Sequence, residues 1–132
     1  MIKFKSEKEM VTFLRGYRNS YYEWIALEAS TNVRSPVFDD ALKGNNYGEK
    51  THSYNRDIER KEELMLKMSE IERTIEVLRS FDNQDFYRIM YFKFIRFKNL
   101  EEIACMLHYS LSYMKQSLYP KAKEELFGLV KL

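Results

Sequence analysis

Apolar side chains recur every three or four residues along the first quarter of the chain, the pattern of a helix with one buried side. Ser6 and Glu9 have the spacing of a capping box, in which each side chain binds a free backbone N–H of the other residue. We therefore predict a helix from Glu7 to Glu28. Its apolar series is Met10, Phe13, Tyr17, Trp24 and Leu27, with Ser20 as the polar member.

A second long stretch has heptad spacing and predicts a helix from about Asn55 to Arg79. Its apolar positions are Leu64, Met68, Ile71, Ile75 and Leu78, and charged residues lie between them. Such a stripe packs against another helix. One candidate is the first helix of the same chain, giving a long antiparallel hairpin over residues 1–80. The other is a second copy of the protein, so a homodimer stays open.

Between these helices the periodicity fails from about residue 31 to residue 53, where turn-forming residues collect. They are Ser35-Pro36, Gly44-Asn45-Asn46 and Gly48. We predict a flexible loop at 31–53. Long loops in compact domains are either functional or mobile. A flexible connector, a loop that docks a partner and a direct DNA contact are the three interpretations.

Residues 81–132 form the second predicted domain and begin with a strongly apolar helix. The sequence DFYRIMYFKFI is apolar around most of its circumference, so this helix should be largely buried as a scaffold. Asp82 or Asn83 is placed to cap it.

The segment after this scaffold predicts two short helices joined by about three residues. Asn99 and Glu102 form a second capping box, and Ser110 offers a further cap just before Leu111. Ala104 supplies a small side chain where the two helices must cross closely. This is the pattern of a DNA-binding helix-turn-helix.

Polar side chains occupy the outward positions of the second short helix. Hydrogen-bonding groups in such a row suit the base edges of a DNA major groove. The predicted row is Ser112, Tyr113, Lys115, Gln116 and Tyr119. Gln116 is the best candidate for an adenine contact, because its amide can pair with N6 and N7.

The whole layout resembles a known family of phage proteins. LEEIACMLHYS is similar to the EIA..L..S signature of sigma factor region four and of RinA/ArpU-type phage late-gene transcription regulators. Phe13 to Arg18 resembles the FLR.YR run of those regulators. The resemblance implies an all-α protein with an N-terminal helical hairpin and a C-terminal sigma-like helix-turn-helix, and a role in activating phage genes in a Gram-positive host.

Two positions depart from the family pattern. His108 stands where the turn usually has Gly, so a left-handed backbone there is strained. Pro120 lies inside the expected recognition helix, and Lys121-Ala122 arrives one residue later than the pattern has it. Because proline lacks an N–H and clashes with the preceding turn, we predict a kink or a break near Ser117 to Tyr119.

Charge is distributed unevenly along a chain whose formal net charge is only +2. Residues 86–121 contain six Lys or Arg and two Asp or Glu, so the basic excess lies on the predicted DNA-binding part. In a helix-turn-helix of this kind, we predict that four residues contact DNA phosphates: Arg96, Lys98, Ser110 and Lys121. Solvated surface charge is the alternative role for Arg96 and Lys98.

No constellation in the sequence indicates catalysis, a cofactor or a metal site. Adjacent Glu pairs point in different directions on a helix, and the single Cys105, predicted to be buried, has no His beside it. With no apolar run long enough for a bilayer, we expect no membrane association and a cytoplasmic protein in the bacterial host.

The functional hypothesis is a sequence-specific, double-stranded DNA-binding transcriptional regulator, without enzyme activity, that acts with host RNA polymerase. The alternative is an adaptor that binds RNA polymerase or another regulator without contacting DNA bases. A structural phage protein that assembles through its hairpin is a third reading.

Overall fold

In the part of the chain that it describes, the computed structural model is all-helical, as the sequence predicts. The structure describes the backbone of residues 2–41 and 47–132 and the side chains of residues 2–29 and 56–132. The elements in chain order are α1 (Glu7–Ala41), α2 (Tyr47–Glu76), a 3₁₀ turn (Val77–Ser80), α3 (Gln84–Phe94), α4 (Leu100–Leu107), α5 (Leu111–Tyr113), a π turn (Met114–Leu118) and α6 (Tyr119–Val130).

The chain divides into two compact units, and the predicted domains 1–80 and 81–132 stay a prediction. The first unit combines Met1–Arg18 with Ser69–Leu132, and the second unit is Asn19–Met68. The start of α1 belongs with the C-terminal helices because Tyr17 is buried there. Its hydroxyl donates to the Glu72 carboxylate at 2.8 Å, and its ring lies 6.1 Å from the ring of Phe97.

The first unit has an apolar core to which α1, α2, α3, α4, the π turn and α6 contribute buried side chains, whereas α5 contributes none. α3 packs against both α4 and α6, so it lies at the centre of this unit. Asn83 caps α3 by accepting the Asp85 N–H at 3.0 Å, one of the two predicted caps. Fully buried core side chains are Met10, Leu14, Ile75, Leu78, Ile89, Met90, Ile103, Met114, Leu126 and Val130.

Within the second unit, polar contacts join α1 to α2. Arg60 forms paired hydrogen bonds with the Glu23 carboxylate at 2.8 and 3.0 Å, and Lys61 forms an ion pair with Glu28. The Lys61 ammonium also lies 5.7 Å from the centre of the Trp24 ring. Leu64 is buried there, as its place in the heptad series predicts.

The helices extend further into the predicted loop at 31–53 than the sequence indicates. α1 continues past Glu28 to Ala41, and α2 already begins at Tyr47. Turn-forming residues are a weak guide here, because an existing helix gains a backbone hydrogen bond with each added residue. The stretch 42–46 and the side chains of 30–55 lie outside the described residues, so the loop's predicted flexibility and contacts stay predictions.

One prediction concerns the central position of α3. Ile89 is 0% exposed, and Ile89→Ala should lower the free energy of unfolding by about 2 to 5 kcal/mol, because it removes buried methyl groups and leaves a cavity. Urea denaturation measures this change. The matched control is Leu66→Ala, at a position 69% exposed, which should change stability by less than about 0.5 kcal/mol. Equal losses in the two variants would contradict the assignment of α3 as the core helix.

Candidate nucleic-acid interface

The connection between α3 and α4 is a tight reversal in which Phe97 has a left-handed backbone, with φ of 60°. The Lys98 N–H donates to the Phe92 carbonyl at 2.9 Å and closes this reversal. The Phe97 ring lies 5.7 Å from the guanidinium of Arg18. Contacts with α1 therefore hold in place the bend that leads into α4. Nothing in the local sequence pattern predicts it.

α4 begins at the predicted capping box. The Asn99 side-chain oxygen accepts the Glu102 N–H at 2.8 Å, and the Glu102 carboxylate accepts the Asn99 N–H at 3.4 Å. These bonds satisfy donors that a helix start leaves free. Ile103 and Ala104 on the inner side of α4 are buried. The small Ala104 is thus at the close contact that the sequence predicts for it.

The turn after α4 has the left-handed residue that the sequence places at His108. Its φ is 65° and its ψ is 40°, and the next residue, Tyr109, donates its N–H to the Ala104 carbonyl at 2.9 Å. The Tyr109 hydroxyl donates to the Asp85 carboxylate at 2.5 Å. That hydrogen bond is the main cause of a raised pKa at Tyr109. The turn is therefore attached to the start of α3.

α5 begins at the predicted Ser110 cap, where the hydroxyl oxygen accepts the Tyr113 N–H at 3.1 Å. α5, the π turn and α6 follow one another without interruption from residue 111 to residue 130. We call this whole stretch the C-terminal helix. Of the predicted kink or break near Ser117 to Tyr119, the break is wrong, because backbone angles stay helical at Leu118 and Tyr119. The helix is nevertheless irregular at this place, where it has the π turn.

The π turn explains how the helix accommodates Pro120. The Tyr119 N–H bonds to the Met114 carbonyl five residues earlier, so the turn is one residue wider than in an α-helix. Proline then lies at the start of α6, at a position where a missing N–H is tolerated. The inserted residue also shifts the later side chains around the helix axis by about 100° relative to an unbroken α-helix.

This shift corrects one predicted site residue. On an unbroken α-helix Tyr119 would lie about 140° from the buried Met114, and hence outward. In the structure Tyr119 is 9% exposed and belongs to the buried side of the C-terminal helix. It cannot contact a DNA base from there. The wider turn is the physical reason why the prediction fails at this residue.

The other predicted base-contacting residues lie on the surface together. Ser112, Tyr113, Lys115 and Gln116 are all exposed, and no acidic residue lies between them in the sequence. We call these four residues the outward row. Tyr113 is 50% exposed, and its ring lies 5.8 Å from that of Tyr109. The row therefore offers hydroxyl, amide and ammonium groups and one aromatic ring.

The predicted phosphate-contacting residues differ in their exposure and in whether they already have a hydrogen-bond or ion-pair partner. Arg96 and Lys121 are exposed, whereas Lys98 is partly buried and its ammonium lies 3.7 Å from the Glu102 carboxylate. Ser110 is exposed, but its hydroxyl oxygen already accepts the capping bond. Arg96 and Lys121 thus retain the most freedom to contact an anion.

Two apolar side chains of α4 are exposed. Cys105 was predicted to be buried, and this is wrong, because only the Ile103 and Ala104 side of this short helix faces the core. Met106 is 44% exposed. α4 therefore exposes two sulfur-containing side chains to solvent.

Two basic side chains lie near the ring of the buried Tyr119. The ammonium groups of Lys93 and Lys123 lie 5.2 and 4.6 Å from the centre of its ring. Burial raises the pKa of Tyr119 to about 12. Burial also lowers the pKa of Lys93, and the nearby charges of Arg15 and Lys123 lower it further. Sequence reasoning missed this grouping, because its members come from three separate helices.

Other kinds of site are not found in the part of the chain that the structure describes. In these residues no three His, Cys, Asp or Glu side chains are close enough together to hold a metal ion. None of the described helices combines the length and the apolar character needed to cross a membrane. No family model, curated protein or solved structure matches the chain.

The strained turn gives a stability prediction. His108→Gly should raise the free energy of unfolding by about 1 kcal/mol, because a left-handed backbone is strained for residues with a Cβ atom and free for glycine. His108→Val should lower it, since branched residues tolerate this region worst. Urea denaturation of the two variants provides the measurement. Equal stability in both would show that residue 108 does not have the left-handed conformation in solution.

Tyr119 gives a prediction for alkaline pH. Its pKa is about 12 in the folded protein, against about 10 for an unperturbed tyrosine. The stability gained by burying the protonated phenol is complete below pH 10 and is lost as the pH rises through the folded pKa. Tyr119→Phe should therefore lose less stability than the unchanged protein between pH 10 and pH 12, in urea denaturation at each pH. Parallel curves would mean that the phenol is not buried.

Proposed function

We propose that this protein is a sequence-specific DNA-binding regulator of transcription in which α4, its turn and the C-terminal helix act as a helix-turn-helix. The observation that carries the proposal is the outward row, four exposed polar residues at the start of a helix whose opposite side is buried. In helix-turn-helix proteins the residues near the start of the recognition helix contact the base edges. Ser112, Tyr113, Lys115 and Gln116 have that position.

The contacts that fix the C-terminal helix to the core support the proposal. Base recognition requires a side chain whose position is fixed to within a fraction of an ångström. Met114 and Leu118 anchor the inward side of the π turn, and the Tyr109 hydroxyl joins the turn to Asp85. The outward row thus lies on a helix held by its core contacts and by the Ser110 cap.

The charges of the described residues also fit a duplex. Arg96 and Lys121 are exposed and have no ion pair among the described side chains, so they are the best candidates for phosphate contacts. Lys98 would have to exchange its contact with Glu102 for a phosphate. Ser110 would contribute to phosphate binding through its backbone, since its hydroxyl oxygen already accepts the Tyr113 N–H.

The resemblance to RinA/ArpU-type regulators narrows the proposal to control of phage late genes, with host RNA polymerase as a partner. The π turn supports this resemblance, because one inserted residue accounts for the late arrival of Lys121-Ala122. The sigma-region-four-like arrangement and the N-terminal hairpin belong to the same proposal. A single module of this size binds DNA weakly, so a homodimer or the polymerase would supply the remaining affinity.

A second candidate function is an adaptor that binds RNA polymerase or another regulator without base recognition. The observation that favours it is the exposure of Met106 and Tyr113, since methionine and tyrosine are common in protein interfaces. Selection of bound duplexes from a random pool separates the two functions. A recovered consensus supports DNA recognition, whereas capture of purified polymerase with no consensus supports the adaptor.

Gln116 gives the sharpest prediction for DNA recognition. Gln116→Ala should remove about 1 to 3 kcal/mol of discrimination at one A·T position of the selected site, because a bidentate pair to adenine is lost. Fluorescence anisotropy with the selected duplex and its single-base variants measures this. Discrimination between bases at the other positions of the site should not change. A uniform loss over all sequences would contradict base recognition by Gln116.

Two further variants serve as controls for that experiment. Ser117→Ala, at the exposed neighbouring position, should leave both affinity and discrimination unchanged. Lys121→Ala should weaken every duplex alike and reduce the slope of log K against log salt by about 0.9, the value for one lost phosphate contact. Lys67→Ala removes an exposed charge in the second unit and should have neither effect.

A further inference from the structure

Three basic side chains from three helices converge near one buried aromatic ring. Lys93 of α3 and Lys123 of α6 lie beside the ring of Tyr119, and the charge of Arg15 of α1 acts on both Lys93 and the Tyr119 phenol. The ammonium groups of Lys93 and Lys123 lie 5.2 and 4.6 Å from the ring centre. We call Arg15, Lys93 and Lys123 the basic cluster. Arg15 is exposed and the two lysines are half-buried, so the cluster is accessible from solvent.

The basic cluster has little compensating negative charge. One carboxylate, that of Glu7, lies 3.8 Å from the Lys123 ammonium. Among the described side chains, Arg15 and Lys93 form no ion pair. The group therefore contains three cations and one carboxylate.

This arrangement is unfavourable for the protein alone. Lys93 is partly removed from water, and the positive charges of Arg15 and Lys123 act on it as well, which is why its pKa is lowered. Core packing does not require a charge at this position, because an uncharged side chain of equal length would fill the same space. Charged groups whose pKa values are perturbed in this way are more frequent at functional sites than elsewhere in a protein. An anion between the three groups would remove the repulsion.

We propose that Arg15, Lys93 and Lys123 together bind one phosphate group, and that in the DNA complex this phosphate belongs to the duplex backbone. The guanidinium can make two parallel hydrogen bonds to phosphate oxygens, and the two ammonium groups add point charges. The aromatic face of Tyr119 favours the ammonium groups where they are. The backbone assignment rests on the proposed function, whereas the phosphate site itself does not.

The position of the basic cluster along the C-terminal helix favours a backbone phosphate. Tyr119 follows Gln116 by three residues, a rise of about 4.5 Å along the helix axis. A helix whose first turn enters the major groove brings its following turn close to a flanking strand. A contact there adds affinity for any sequence and fixes the orientation of the outward row.

The test compares Lys93→Met and Arg15→Gln with Lys67→Met, which removes an exposed charge from the second unit. Binding of a random-sequence duplex is followed by fluorescence anisotropy over a range of salt concentrations. Because the three groups share one phosphate, a double variant with both changes should reduce the slope of log K against log salt by about 0.9, and each single variant by part of that amount. Lys67→Met should leave the slope unchanged. Slopes and affinities equal to those of the unchanged protein in both cluster variants overturn the backbone contact.

A stability measurement separates binding from a purely structural role. Lys93→Met removes the repulsion and the partly buried charge, so its melting temperature should rise while its duplex affinity falls. A lysine that only supports the Tyr119 ring would give a lower melting temperature. A lower melting temperature with an unchanged salt slope therefore overturns the proposal.

Titration with inorganic phosphate, followed by nuclear magnetic resonance of the lysine and tyrosine side chains, identifies the source of the phosphate. Saturable shifts at Lys93 that disappear in Arg15→Gln support the phosphate site even when no duplex binds. The test of the phosphate site is therefore separate from the test of the proposed function. If phosphate binds in this way and the duplex slopes are unchanged, the ligand is a small phosphate-bearing molecule and the backbone assignment is overturned. No shift and no change in slope overturn the site itself.

Discussion

Pro120 imposes the constraint from which the geometry of the C-terminal helix follows. Because proline has no N–H and crowds the carbonyl four residues earlier, a regular α-helix cannot pass through this position without strain. The structure has a π turn there, in which the Tyr119 N–H bonds to Met114. One residue is thereby inserted into the helix, and every later side chain changes its direction.

The same insertion keeps one side of the helix on the core over its whole length. The buried positions lie at every fourth residue, at Met114, Leu118, Ala122, Leu126 and Val130. On an unbroken α-helix this spacing drifts by about 40° at each step and would leave the core. The π turn offsets much of that drift, brings Tyr119 inward and leaves the outward row facing solvent. Orientation of the candidate site is therefore coupled to packing of the core.

Much of the local structure could be predicted from the sequence, because caps depend on residues only three positions apart. The Asn99 box, the Ser110 cap and the left-handed His108 are all present where the sequence indicates them. The buried side of α3 follows equally from its apolar periodicity. These features require no knowledge of distant parts of the chain.

The features that were missed depend on distant contacts or on helix phase. Tyr119 was predicted to face outward because helical periodicity assumes an unbroken α-helix, and the π turn removes that assumption. The prediction that Cys105 is buried placed it at an inward position of α4, whereas only the side with Ile103 and Ala104 meets the core. The bond from Tyr109 to Asp85 and the basic cluster join separate helices, so no local spacing indicates them.

A titration of the isotope-labelled protein with a DNA duplex, followed residue by residue in nuclear magnetic resonance spectra, tests the central claim most directly. That claim is that the core holds the C-terminal helix so that its outward row enters a groove. The account predicts the largest shifts at Ser112, Tyr113, Lys115 and Gln116, with little change at the buried Met114 and Leu126. Shifts confined to other surfaces, or none at a saturating concentration of duplex, would contradict it.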